Sequence, residues 1–159
     1  MGGINLIPVW APASRPIKRI AVECTAAASA DALIELGFYD PVSLDLIVSM
    51  GTVNLATSTG GKVAQIGTAV LLPPLALLAV RLRSASLSGG KWRAGTVLPG
   101  PAAALMPGGN PWDSVGGGYM GWRIARAGTD ALPAALPTTE WDVAAFNDGP
   151  VPFATLIPV

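Results

Sequence analysis

The stretch Val42-Ser-Leu-Asp-Leu-Ile-Val-Ser-Met50 decides the fold class, because Val42, Leu44, Leu46, Val48 and Met50 recur at every second position. A period of two places five apolar side chains on one face of an extended chain and leaves the other face polar or lightly covered, the signature of a half-buried strand. Asp40-Pro41 precedes it as a turn and Gly51 punctuates it, with Val53 to Thr57 continuing in the same style.

Working outward, Gly60-Gly61 turns the chain into a further strand over 62–70, so the middle of the sequence reads as a meander. Upstream, Ile20, Val22 and Cys24 alternate with Ala21, Glu23 and Thr25, a second period-two segment. Between the two, residues 26–36 are mostly good helix formers. Ser29 is placed to cap a late start, and Gly37 sits where a helix C-terminus needs a left-handed residue, so one short helix is expected there.

Downstream of Pro73-Pro74, residues 75–87 are rich in Leu and Val, and their nearly continuous apolarity implies burial on both faces near the start. Arg81 and Arg83 share one face and Val80 and Leu82 the other. Ser88-Gly89-Gly90 turns the chain into a short strand over 92–98. Residues 99–118 hold four prolines, Pro99, Pro101, Pro107 and Pro111, among many glycines and read as a long loop. Strands are expected again over 119–127 and 140–146, with a proline-broken connection between them. A last one runs over 151–159, where Val151, Phe153, Thr155, Ile157 and Val159 alternate.

Residues 1–16 hold Pro8, Pro12 and Pro16 around Trp10 and read as an extended N-terminal arm, since proline fixes its own backbone and biases its predecessor away from helix. The expected organisation is therefore an arm over 1–16 and a single β-rich domain over 17–159. Its class is mainly β: an antiparallel β-sandwich or barrel with one short helix and long Pro/Gly-rich loops.

Composition narrows function. The 159 residues include no histidine, one cysteine and ten basic against ten acidic side chains, yet 51% are hydrophobic, and 19 glycines accompany 15 prolines. Five tryptophans and the apolar content argue for a folded chain rather than a disordered one. Without histidine there is no Ser-His-Asp or Cys-His catalytic arrangement, and a lone Cys24 makes neither an internal disulfide nor an all-cysteine zinc site. The basic cluster Arg15, Lys18 and Arg19 is too short to track a phosphate backbone, so nucleic acid is not an expected partner. The longest apolar run, 69–80, contains Pro73-Pro74 and is too short to span a bilayer as a helix; no secretory signal pattern opens the sequence, and Leu6 fails the myristoylation pattern.

Chemical motifs are weak. Gly116, Gly118 and Gly121 have dinucleotide-fingerprint spacing, with Glu140 at the distance of a ribose contact, but Pro111-Trp112-Asp113 before them and Gly128 and Pro133 after them do not make the required strand and helix. Gly61-Lys62 lacks the rest of a phosphate loop. Glu140 and Asp142 would share a strand face, where solvated carboxylates are the simpler reading than a glycosidase pair, and Asn147-Asp148-Gly149 is a hairpin turn before it is a calcium loop. No catalytic residue, cofactor or metal is expected.

A charge-poor, apolar chain has little with which to cover its outside, and this points to burial against neighbours. The expectation is a non-enzymatic structural subunit of a large assembly. By analogy of general character the nearest kind is a tailed-bacteriophage virion component, a head decoration protein or a tail or fibre subunit, whose partners are copies of itself and other virion proteins. The expected contact residues are Trp10 in the arm and Asn110, Trp112 and Asp113 in the long loop. The alternative is a carbohydrate- or receptor-binding β-sandwich module that takes a glycan or host receptor on Trp112.

Overall fold

The computed structural model describes residues 3–10, 16–56, 58–84, 89–92, 122–124, 130–139, 141–142 and 154–158. Among the described residues ten strands follow one another: β1 (Ile4–Trp10), β2 (Ile17–Ala26), β3 (Leu33–Tyr39), β4 (Leu46–Asn54), β5 (Gly60–Val70), β6 (Leu75–Leu82), β7 (Lys91–Trp92), β8 (Trp122–Ile124), β9 (Trp141–Asp142) and β10 (Ala154–Pro158). They form two antiparallel sheets. One has six strands in the order β4-β3-β6-β1-β8-β9, the other runs β10-β2-β5 with β7 also paired to β2, and neither closes into a barrel.

Two sets of buried side chains hold the sheets. Even-numbered residues of β3 and β6, namely Ile34, Leu36, Phe38, Ala76, Leu78 and Val80, meet Ile20, Val22 and Cys24 of β2 in one core between the sheets. The odd-numbered residues Tyr39, Leu77 and Ala79 point the other way and join Ile4, Leu6 and Ile124 in a second core, closed over by Leu132 and Leu136. β3 and β6 are thus buried on both faces, largely by apolar side chains. Each fully buried large aliphatic or aromatic side chain in these strands contributes about 1.5–3 kcal/mol.

The helix expected over 26–36 is not formed, and among the described residues there is no helix. Residues 27–32 connect β2 to β3, tied by Ala28 N–H to Leu55 O (3.0 Å) and Leu55 N–H to Ala32 O (3.1 Å), and Leu33 begins a strand. Burial on two faces outweighed local helix propensity. Gly37 is no helix cap. It lies mid-strand, where an added Cβ would stand 2.6 Å from Leu132 Cδ1 and 3.0 Å from Val48 O, so glycine is needed for close approach.

The strand expected from Val42 starts later, at Leu46. Asp40 Oδ1 accepts the N–H groups of Val42 (2.8 Å) and Ser43 (2.9 Å), holding residues 40–43 in a turn that leaves Val42 90% exposed and Leu44 at φ 63°. Within β4 the register slips twice. Leu36 faces Gly51 while Gly37 faces Ser49, and Phe38 faces Val48 while Tyr39 faces Leu46, so Met50 and Ile47 are extra residues. Gly51, at φ +87°, supplies the left-handed backbone beside the first bulge.

The segment read as an N-terminal arm is, over Ile4–Trp10, an interior strand of its own chain: β1 pairs with β6 along its whole length and with β8 over Ile4–Leu6. Pro8 lies within it, in register with Leu77 of β6.

Candidate functional site

The densest polar constellation among the described residues lies on the second core's side of the six-stranded sheet, under residues 131–137. β3 brings Glu35 into register with Arg81 of β6, and Arg83 follows two positions on. Both Glu35 and Arg81 are buried, at 5% and 2% exposure. Glu35 Oε2 accepts from Arg83 Nη1 at 2.7 Å and from the Leu132 N–H at 3.1 Å, while Oε1 accepts from the Ser49 hydroxyl at 3.0 Å. Arg81 Nη1 donates to Ala131 O at 2.9 Å, and Arg81 Nε has no hydrogen-bond partner among the described residues.

This cluster holds a strap. Beyond Ala131 and Leu132, the Tyr39 hydroxyl donates to Pro133 O (2.7 Å), Leu46 N–H donates to Ala134 O (2.8 Å) and Leu136 N–H donates to Leu44 O (2.9 Å); Asp45 and Ala135 form an isolated bridge. Polar groups from β3, β4 and β6 thus satisfy the backbone of an irregular segment that prolines keep out of regular pairing. Three of the acceptor positions on Glu35 are occupied by donors that fix the chain. A carboxylate so held joins three segments of the chain through charge-assisted hydrogen bonds.

Trp10 is the last residue of β1, in register with Leu75. Asn110, Trp112 and Asp113, and the glycines at 116, 118 and 121, lie outside the described residues, as do Glu140 and 147–149. Asp142 is in β9, in register with Arg123 of β8. Cys24 is buried in the inter-sheet core, its thiol directed at Ala26 O (3.2 Å). Lys62, beside Gly61, donates to the Ser58 hydroxyl at 2.9 Å. Among the described residues no three His, Cys, Asp or Glu side chains are grouped to hold a metal.

Sequence reasoning paired Arg81 with Arg83 on one face but missed Glu35, which fell inside the expected helix. The available signal was a single acid in the otherwise apolar run Leu33-Ile-Glu-Leu-Gly-Phe-Tyr39. No family model matches this chain, and no curated protein or solved structure matches it.

Proposed function

We propose that this chain is a non-enzymatic structural subunit of a large protein assembly, a β-sandwich that works by packing against copies of itself and against other subunits. In kind it is closest to a tailed-bacteriophage virion component, a head decoration protein or a tail or fibre subunit, and its place is the virion. The observation that carries the reading is how the polar inventory is used. Of only ten acidic and ten basic side chains, Glu35 and Arg81 are spent inside the fold. Meanwhile Val42, Val63 and Leu71 stand 90%, 51% and 57% exposed. An apolar side chain exposed on a surface thin in charge gains from burial against another subunit, with few ions to desolvate on contact.

The expected contact elements are Trp10 and the segment carrying Asn110, Trp112 and Asp113. Size-exclusion chromatography with light scattering tests the reading: the native chain should elute as oligomers whose mass rises with concentration. A strict monomer that binds glycans and loses them on Trp112→Ala would favour a carbohydrate- or receptor-binding module instead.

A further inference from the structure

Two charged side chains are buried among the described residues, Glu35 and Arg81, and only the first is fully answered. Arg81 stands in register with Ile4 of β1 and Glu35 of β3, on the face that the strap covers. Its Nη1 donates to Ala131 O at 2.9 Å, and nothing accepts from its Nε among the described residues. The acid beside it is committed elsewhere. Glu35 accepts from Arg83 Nη1, from the Leu132 N–H and from the Ser49 hydroxyl, and its ion pair is with Arg83. Arg81, 2% exposed, therefore has a backbone carbonyl and no carboxylate as its partner among the described residues.

A guanidinium keeps its proton at any ordinary pH, so it cannot escape burial by neutralising as a buried lysine does. An ion taken out of water is costly unless it is both hydrogen-bonded and paired with opposite charge. Ala131 O supplies a dipole and no charge. A water molecule on Nε would complete a hydrogen bond and leave the charge uncompensated, whereas an anion does both. The surroundings set its kind. Ile4 in register and Leu132 next to Ala131 both belong to the apolar second core, and a low-polarity site strengthens attraction to a single charge while penalising a heavily hydrated dianion.

We propose that Arg81 Nε is the donor of a binding site for a small monovalent anion of the chloride class, between the six-stranded sheet and the strap at residues 131–132. The anion supplies to Arg81 the counter-charge that Glu35 gives to Arg83. The same guanidinium holds Ala131 O, so neutralising it also steadies the strap on the sheet. The inference concerns one chain and does not depend on the assembly reading.

The test is the thermal midpoint as chloride replaces fluoride at constant ionic strength. An anion that binds the folded chain raises the midpoint with its concentration. The native chain should gain several degrees as the site fills, and bromide should act as chloride does. Arg81→Met keeps the apolar stem and removes the charge, and its midpoint should not rise with chloride. Arg19→Met, at an exposed position on β2, should respond as the native chain does. Arg81→Lys keeps the charge without the fixed Nε donor, and should need about ten-fold more chloride for the same rise, which decides the question even where Arg81→Met does not fold. A native midpoint indifferent to chloride means that water alone meets Nε and overturns the site. A chloride response unchanged in Arg81→Lys or in folded Arg81→Met overturns it too, because the anion then binds elsewhere.

Discussion

The backbone N–H of Leu132 donates to Glu35 Oε2 at 3.1 Å across 97 positions of sequence, and this bond ties the strap to the six-stranded sheet. It shares its acceptor with Arg83, so one buried carboxylate joins β3, β6 and the strap. The strap covers the outer faces of β3 and β6, burying Tyr39, Leu77 and Ala79 together with the charges of Glu35 and Arg81, and the carboxylate beneath it accepts its backbone donor.

Glu35→Gln should therefore cost about 2 kcal/mol, since the uncharged amide loses the charge-assisted bond from Arg83 and can accept through only one end where the carboxylate accepts from Arg83, Leu132 N–H and Ser49. Arg83→Ala should cost about 1 kcal/mol, because the arginine side chain is 29% exposed and its pairing is partly screened. Urea unfolding measures both. A Glu35→Gln loss below about 0.5 kcal/mol would mean that the strap holds without the carboxylate.

Gly37→Ala should destabilise by about 2 kcal/mol, because the new methyl forces the buried Leu132 side chain to turn aside and presses on the backbone oxygen of Val48. Gly61→Ala, with open space around it, should stay within about 0.5 kcal/mol of native. In Gly37→Ala/Leu132→Ala the two effects should be less than additive, as expected for residues in contact. Additive losses would show that the two side chains do not meet.

Deleting residues 1–10 separates an interior strand from a free arm. Ile4, Leu6 and Ile7 are buried, and at about 1.5–3 kcal/mol each their loss is comparable with the whole stability of a small domain, about 5–15 kcal/mol. The truncated chain should show no cooperative thermal transition. Retention of a native-like transition would return this segment to the role of an appendage.

What the sequence made legible follows the physics of one-sided and two-sided burial. β2 was readable because one face is buried and the other wet, so Ile20, Val22 and Cys24 alternate cleanly. β6 was readable as a two-faced strand because no polar residue interrupts it before Arg81, and β10 was expected as a C-terminal strand tied into a sheet and pairs with β2. β3 was not readable: with both faces buried it has no period of two, and its alanine-rich approach and Gly37 imitate a helix and its cap. Val42 misled because a turn closed by the Asp40 carboxylate continues the alternation by coincidence. Prolines disguised β1, since Pro8 within a run of strand residues argues against a paired strand. The Glu35 cluster could not be read because its parts lie on four segments far apart in the chain, and two of its members are backbone groups of the strap. The contact residues Asn110, Trp112 and Asp113 fall outside the described residues.

The central claim is that this chain completes its exterior by docking onto others, and sedimentation equilibrium of the native protein over about a hundred-fold range of concentration tests it most directly. The account predicts a weight-average mass that climbs with concentration from the 16.1 kDa of one chain toward dimers and larger species. A mass that stays at one chain across the whole range would contradict it.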